Sequence, residues 1–383
     1  DCSEQIFNRY YANSIASHIA NSSPRIKAVF DSWKSQSPDA LLSNLEKNQE
    51  LKSLILEETP WVLDAKNESE RKKRIALLFD LNKMSNELDA AIKKLEKTQT
   101  PNGGWSWFPG MPDSRYITQY IITGFGHLEK LTHQTAQSGQ TGTGTGKIWS
   151  MVSKAVPYLD DRIREDYEWL KKHKSDLSKN HLSQTQIQYL YARSYFIDRI
   201  EISSKNKEAF NYYKGQAQKF WLDNNRYMQG MIALGLFRLK DEKTPNDIVK
   251  SLKENAIFNE ELGMYWKEFS GGLYWYQAPI EAQALFIEAF NDISKDIKSV
   301  NEMRVWLLKN KQTNDWKTTK ATSEACFALL LSGTDWLATE SQVEIKIGNE
   351  TITPLSFGEG QGVRSEAGTG YFKTSWSSNE IKP

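Results

Sequence analysis

Apolar residues recur at helical spacing from Ser3 almost to Leu331, so the body of this chain has to bury helices against helices. The period predicts helices over Ser3–Ala20, Ser69–Lys97, Arg115–Leu131, Lys147–Lys172 and Gln184–Asp198. It predicts more over Asn206–Trp221, Tyr227–Leu239, Ile280–Ile293, Asn301–Lys309 and Thr319–Leu331. Pro, Gly, Asn and Ser fill the connectors, as helix ends require. Gln134 to Gly146 is of low complexity and reads as a flexible surface loop between two helices. After about Thr334 the period changes. Val343 to Ile347 alternates strictly, Gly348-Asn349 is a hairpin signal, and Thr351–Thr353 and Gly370–Trp376 also read as strands. That tail is too short for a core of its own, so it is expected to belong to a neighbouring β-sandwich domain. The expected division is residues 1–335, all-α, and residues 336–383, a β-strand segment.

A weak repeat refines the all-α reading. Gln99-Thr-Pro-Asn-Gly-Gly-Trp105, Gly271-Gly-Leu-Tyr-Trp275 and Gln312-Thr-Asn-Asp-Trp316 each place a turn and an aromatic before a helix. Repeated helix pairs bury their faces only against neighbours, and closing them into a ring gives an α/α toroid.

Composition removes whole function classes. The 383 residues carry 49 Lys and Arg against 48 Asp and Glu, a formal charge of +1, which leaves no general footprint for nucleic acid or an anionic membrane. No stretch is long and apolar enough to span a bilayer. Two cysteines and five histidines, without C-x-x-C or H-E-x-x-H spacing, argue against a zinc site, and no cofactor is expected. Cys326 lies in an apolar helical pattern and reads as a buried thiol. The chain opens on Asp1 without a signal-peptide pattern, as an excised or mature segment would.

The opening Asp1-Cys2-Ser3-Glu4-Gln5 carries the chemistry. Asp1 at the N-cap with Glu4 at N3 would make a capping box, which accounts for those two residues but not for Cys2 and Gln5. Positions three apart share one face of a helical turn. The Cys2 sulfur can then attack the Gln5 side-chain carbonyl carbon and expel ammonia. An internal thioester remains, with a thiolate leaving group that a helix N-terminus favours.

Cys2-Ser3-Glu4-Gln5 resembles the C-x-E-Q thioester motif of the alpha-2-macroglobulin and complement family. Gln99 to Tyr120, with Gly-Gly-Trp-Ser-Trp-Phe-Pro-Gly-Met-Pro, resembles its bacterial members in particular. The resemblance implies an α/α-toroid thioester domain followed by strands of a macroglobulin-like domain. It implies a covalent trap: a protease cuts a bait segment elsewhere, the thioester is uncovered, and an amine on the protease is acylated once. On that reading the chain is an endopeptidase inhibitor and not an enzyme. Its partners are target proteases and other domains of the same protein, and its setting is extracytoplasmic (periplasmic, cell-surface or secreted). Complement members use a histidine before the middle helices to reach hydroxyls. Trp105 to Ser114 holds none, and His127 falls inside a helix pattern, so transfer to amines is expected. Trp105, Trp107, Phe108 and Met111 are the expected apolar shield over the thioester, with Glu4 supporting.

Three other readings compete. C-x-E-Q could be unreactive in a toroidal scaffold or binding domain. Gln99-x3-Gly103-x-Trp105 resembles an element of terpene cyclases, although Asp160-Asp161 lacks a third acid. A toroidal glycoside hydrolase would need two carboxylates across a cleft, with Asp113, Glu268 and Glu281 as candidates near Trp107, Trp266 and Trp275.

Overall fold

The computed structural model describes residues 1–22, 81–136, 145–267, 278–313, 316, 318–331, 345–347 and 350–352. The chain divides into two compact units, Asp1–Ile15 with Asn86–Gly333, and Ala16–Ser85 with Thr334–Pro383. The fold is mostly helical. Among the described residues the helices are α1 (Ser3–Ser22), α2 (Leu81–Thr98), α3 (Arg115–Ala136), α4 (Thr145–Lys172), α5 (Gln184–Ser194) and α6 (Ser204–Phe220). They continue with α7 (Arg226–Arg238), α8 (Lys243–Glu254), α9 (Pro279–Ala289), α10 (Ile297–Thr313) and α11 (Thr319–Leu330).

In the first unit two kinds of helix alternate. Every residue from Gln186 to Ser194 on α5, from Tyr227 to Leu236 on α7 and from Ile280 to Ala289 on α9 is buried. A helix apolar and buried on all sides has to be enclosed by others. Its neighbours in sequence bury only a stripe. On α8 that stripe is Pro245, Ile248, Val249 and Leu252, at spacings of three, four and seven. The enclosed helices touch one another: α3 packs on α5, α5 on α7, α7 on α9, α9 on α11, and α11 returns to α3.

Two short hairpins tie this alternation together. β1 (Trp105–Ser106) pairs antiparallel with β2 (Asp113–Ser114) before α3, and β3 (Ile257–Asn259) pairs with β4 (Gly263–Tyr265) before α9. Each has a glycine at positive φ, Gly103 at 98° and Gly263 at 76°. Each has a buried indole that donates to a helical carbonyl 2.9 Å away, Trp105 to Leu95 on α2 and Trp266 to Leu252 on α8. Each also has a glutamine amide donating to two backbone carbonyls, Gln99 to Gly103 and Met151, and Gln283 to Met264 and Met303. Gln99, Gly103 and Trp105, the residues resembling a cyclase element, are thus members of an inter-helix junction. The second copy of that junction is Gly263 to Trp266. Gly271–Trp275 lies outside the described residues.

Several expectations need correction. The helix α8 was not expected, and α5 ends at Ser194, with turns over 195–199 where the period predicted helix to Asp198. Past Ala289 the helix widens into a π turn over Phe290–Ser294, and α10 is longer than Asn301–Lys309. In the second unit β5 (Ile345–Ile347) and β6 (Glu350–Ile352) pair antiparallel with Ile347 opposite Glu350, while Gly348-Asn349, the expected turn, lies outside the described residues. Gly370–Trp376, Asn314 and Asp315 of the third repeat, and residues 69–80 and 137–144 lie outside the described residues.

The junction glycines give a stability test. A Cβ on Gly263 would stand 2.1 Å from the Glu302 carbonyl oxygen, and one on Gly103 2.3 Å from that of Lys154. Gly263→Ala and Gly103→Ala are each expected to cost about 2 kcal/mol or more in denaturant unfolding. Lys174, exposed and at φ 51° after α4, is the opposite case, and Lys174→Gly should add about 0.5–1 kcal/mol.

Candidate functional site

The first turn of α1 starts one residue later than Asp1 would set it. The helix begins at Ser3, so Cys2 takes the N-cap position and Gln5 the N3 position. Two reciprocal hydrogen bonds close the turn. The Gln5 backbone N–H donates to Cys2 Sγ at 3.4 Å, and the Cys2 backbone N–H donates to Gln5 Oε1 at 3.2 Å. This is a capping box with sulfur in place of the usual hydroxyl. Asp1 is not the cap: its carboxylate accepts from Arg9 at 3.1 Å. Glu4 is half-buried in the same turn.

The arrangement suits acyl chemistry at both ends. Sulfur receives an N–H, and the carbonyl oxygen receives another, which polarises the carbon that sulfur would attack. Cys2 is 8% exposed, whereas Gln5 is exposed. Cys326, the other cysteine, is half-buried rather than fully enclosed, and burial pushes its thiol up to about 11. It forms no disulfide with Cys2.

The aromatic loop meets this turn through the backbone. Ser3 N–H donates to the Trp107 carbonyl at 2.9 Å. The four expected shield residues separate into two groups. Trp105 is fully buried, and its indole donates to Leu95 of α2. Trp107, Phe108 and Met111 are 37%, 49% and 52% exposed, and the Trp107 ring stacks on Tyr116 at 5.8 Å.

Below the first turn, α1 is mounted on a buried polar network. Asn8 accepts from the Tyr120 hydroxyl at 2.5 Å and donates to Thr319 at 3.4 Å. One helical turn on, the Tyr11 hydroxyl lies 2.9 Å from His127 Nδ1, and His127 Nε2 lies 3.0 Å from the Tyr191 hydroxyl. Tyr191 gives its only proton to Glu288 at 2.7 Å, so it accepts from Nε2–H and leaves Nδ1 to accept from Tyr11. Glu288 is 1% exposed and also binds Tyr195, Arg238 and Lys130. Burial opposes its charge, but Lys130 and Arg238 outweigh burial and hold the carboxyl well below its usual range. Burial drives His127 down to about 3, and it stacks on Phe327 at 3.9 Å. Burial drives Glu324, 3.5 Å from His127, up to about 8, against the pull of Lys320. A cleft of 460 Å³ opens beside this network, with Tyr195, Arg238 and Lys130 in its lining.

The competing constellations fare differently. Asp160 is buried against Arg193 at 2.9 Å and the Tyr189 hydroxyl at 2.6 Å, and Asp161 pairs with Lys205. Asp113 accepts from Tyr158 and Asn102, Glu281 is 9% exposed, and Trp266 is inside the core. Glu268 and Trp275 lie outside the described residues. The described residues contain no group of acids, histidines and cysteines placed to hold a metal. No helix among them is long and apolar enough to cross a membrane. Sequence reading found Cys2 and Gln5 but not the network, whose members come from six helices. No family model matches this chain, and no curated protein sequence matches it.

The network sets a pH profile for stability. His127 binds a proton in the unfolded chain below 6.5 but in the folded one only near 3, so stability is lost as pH falls through that window. The depressed Glu288 acts in the same direction below 4.5. Glu324 is protonated in the fold up to about 8 but ionises at 4.5 when unfolded, so stability is lost as pH rises from 4.5 to about 8. From 4.5 to 6.5 the His127 and Glu324 slopes cancel, and the unfolding midpoint should be flat there and fall on both sides. In Glu324→Gln the alkaline fall should disappear, as thermal unfolding across pH would record.

Proposed function

We propose that this chain is the thioester module of an alpha-2-macroglobulin-type protease trap. The reading is supported above all by the two reciprocal contacts between Cys2 and Gln5, which bring sulfur and carbonyl to one side of one turn. Enclosed helices that pack in succession and return from α11 to α3 fit an α/α toroid. The second unit, with its antiparallel β5–β6 pair, fits the edge of a neighbouring macroglobulin-like domain.

In this reading Cys2 Sγ attacks the Gln5 side-chain carbon, the carbon–nitrogen bond breaks, and ammonia leaves. The Cys2 N–H holds the oxygen as charge develops on it. Later an amine of a captured protease attacks the same carbon, an amide forms, and the Cys2 thiol returns with a proton. The step happens once per chain, so the module inhibits and does not turn over. Its partners are the captured protease and the remaining domains of its own protein, and its place is extracytoplasmic. With no histidine between Trp105 and Ser114, amines are the acceptors rather than hydroxyls.

A second reading rests on the same bonds. A capping box by itself explains why Cys2 and Gln5 touch, and a non-reactive helical scaffold would need nothing more. Intact mass separates the two. The thioester reading expects the protein to weigh one ammonia less than its sequence and to gain one methylamine on treatment. Cys2→Ala and Gln5→Ala should each abolish that gain, while Cys326→Ala retains it. A full-mass protein that never takes up methylamine, or uptake by Cys2→Ala, would rule the thioester out.

A further inference from the structure

Resting on the thioester reading, we propose that the hairpin loop of residues 106–111 selects the nucleophile, favouring primary amines that carry an aromatic or bulky apolar group over small aliphatic amines. Three observations converge on this. The loop is fixed beside the reacting pair, because its Trp107 carbonyl accepts from Ser3 N–H, the residue next to Cys2. It is also rigid. Trp105 and Ser106 pair with Ser114 and Asp113, the Ser106 hydroxyl donates to the Phe108 carbonyl at 2.8 Å, Met111 N–H donates to the same carbonyl at 3.1 Å, and Gly110 turns at φ 85°. Finally, the loop offers three large apolar side chains to solvent, Trp107, Phe108 and Met111.

The composition of the loop favours an amine with an apolar body. Trp105-Ser-Trp-Phe-Pro-Gly-Met-Pro112 contains no ionisable side chain. Asp1 and Arg9 pair with each other beside the first turn, and Glu4 is half-buried there. An amine approaching the exposed Gln5 side chain meets apolar surface at the loop. Rings stack on Trp and Phe, and thioether sulfur also packs well against rings. A rigid surface loses little entropy when it takes such a group, so the gain goes into the rate of acyl transfer. On a protease, the captured lysines would be those with an aromatic or aliphatic side chain beside them.

The test compares two amines on the 383-residue chain, in wild type and in the double variant Phe108→Ala, Met111→Ala. Rates of mass gain are measured for ethylamine and for 2-phenylethylamine at matched free-base concentration. Dividing the wild-type rate ratio by the variant's cancels the intrinsic reactivity of the amines. The expected result is a ratio about tenfold higher in wild type, the size of effect that covering part of one ring produces. Equal ratios overturn the proposal. A variant whose thioester hydrolyses faster at an unchanged amine ratio also overturns it and makes the loop the seat of another domain. If wild type never gains ethylamine and shows no loss of ammonia, the thioester reading itself falls, and that outcome is visible before any variant is made.

Discussion

Glu288 is a carboxylate with 1% exposure, and the arrangement of the first unit depends on how its charge is met. A buried charge without partners would cost several kcal/mol. Lys130 comes from α3, Tyr191 and Tyr195 from α5, and Arg238 from α7, all converging on this one group of α9. Asp292, in the π turn that follows α9, takes the second contact of both cations. The wider turn is what lets the chain leave α9 with a second acid facing the same cations, a use of π geometry found at specialised positions in helices. Apolar packing between helices tolerates small slips, whereas a salt-bridged group with four partners fixes one register. Arg238 also stacks over the Tyr195 ring at 3.9 Å, so the cation is held by ring and carboxylates together.

The same network reaches the candidate site through one side of α1. Tyr11 closes on His127, and Asn8 on Tyr120 and Thr319. These bonds fix the rotation of α1 about its axis, and Phe7 fixes its depth. A Cβ on Gly124 of α3 would lie 2.3 Å from the Phe7 ring, so α1 approaches α3 as closely as a glycine permits. With rotation and depth set, the position of Cys2 relative to the Trp107 loop follows from the Ser3 hydrogen bond. Burial of His127 keeps the ring neutral at ordinary pH, which suits a residue whose two nitrogens must play opposite parts.

What the sequence made legible follows from what is local. Most of the helices were legible in the apolar period, and so was the sharing of one turn by Cys2 and Gln5. The helix α8 was missed because Lys243-Thr-Pro-Asn-Asp reads as a polar connector and only four of its residues face inward. The N-cap was misplaced by one residue because Asp outranks Cys as a cap in general, and nothing local reveals that Arg9 engages Asp1. Trp105 was assigned to the shield with its neighbours, yet its indole is buried and donates to the Leu95 carbonyl of α2, a partner ten positions away that the loop sequence does not reveal. The network was invisible because His127 and Glu288 are 161 positions apart and meet only through packing.

The contact between Cys2 and Gln5 admits a purely structural explanation, and chemistry limits how far that explanation goes. Sulfur is a weak acceptor, and cysteine is not among the residues that cap helices well. A serine, threonine or aspartate at position 2 would close the turn more firmly, with the Gln5 half of the box unchanged. The cap therefore accounts for the shape of the turn but not for the presence of a thiol. What a thiol adds over a hydroxyl is nucleophilicity and the ability to leave, and in the proposed reading both act on one carbonyl whose oxygen already accepts from Cys2 N–H. In the proposed reading one turn serves both as a modest helix cap and as the setting for attack, because both require a side chain at the N-cap to meet the side chain three residues on.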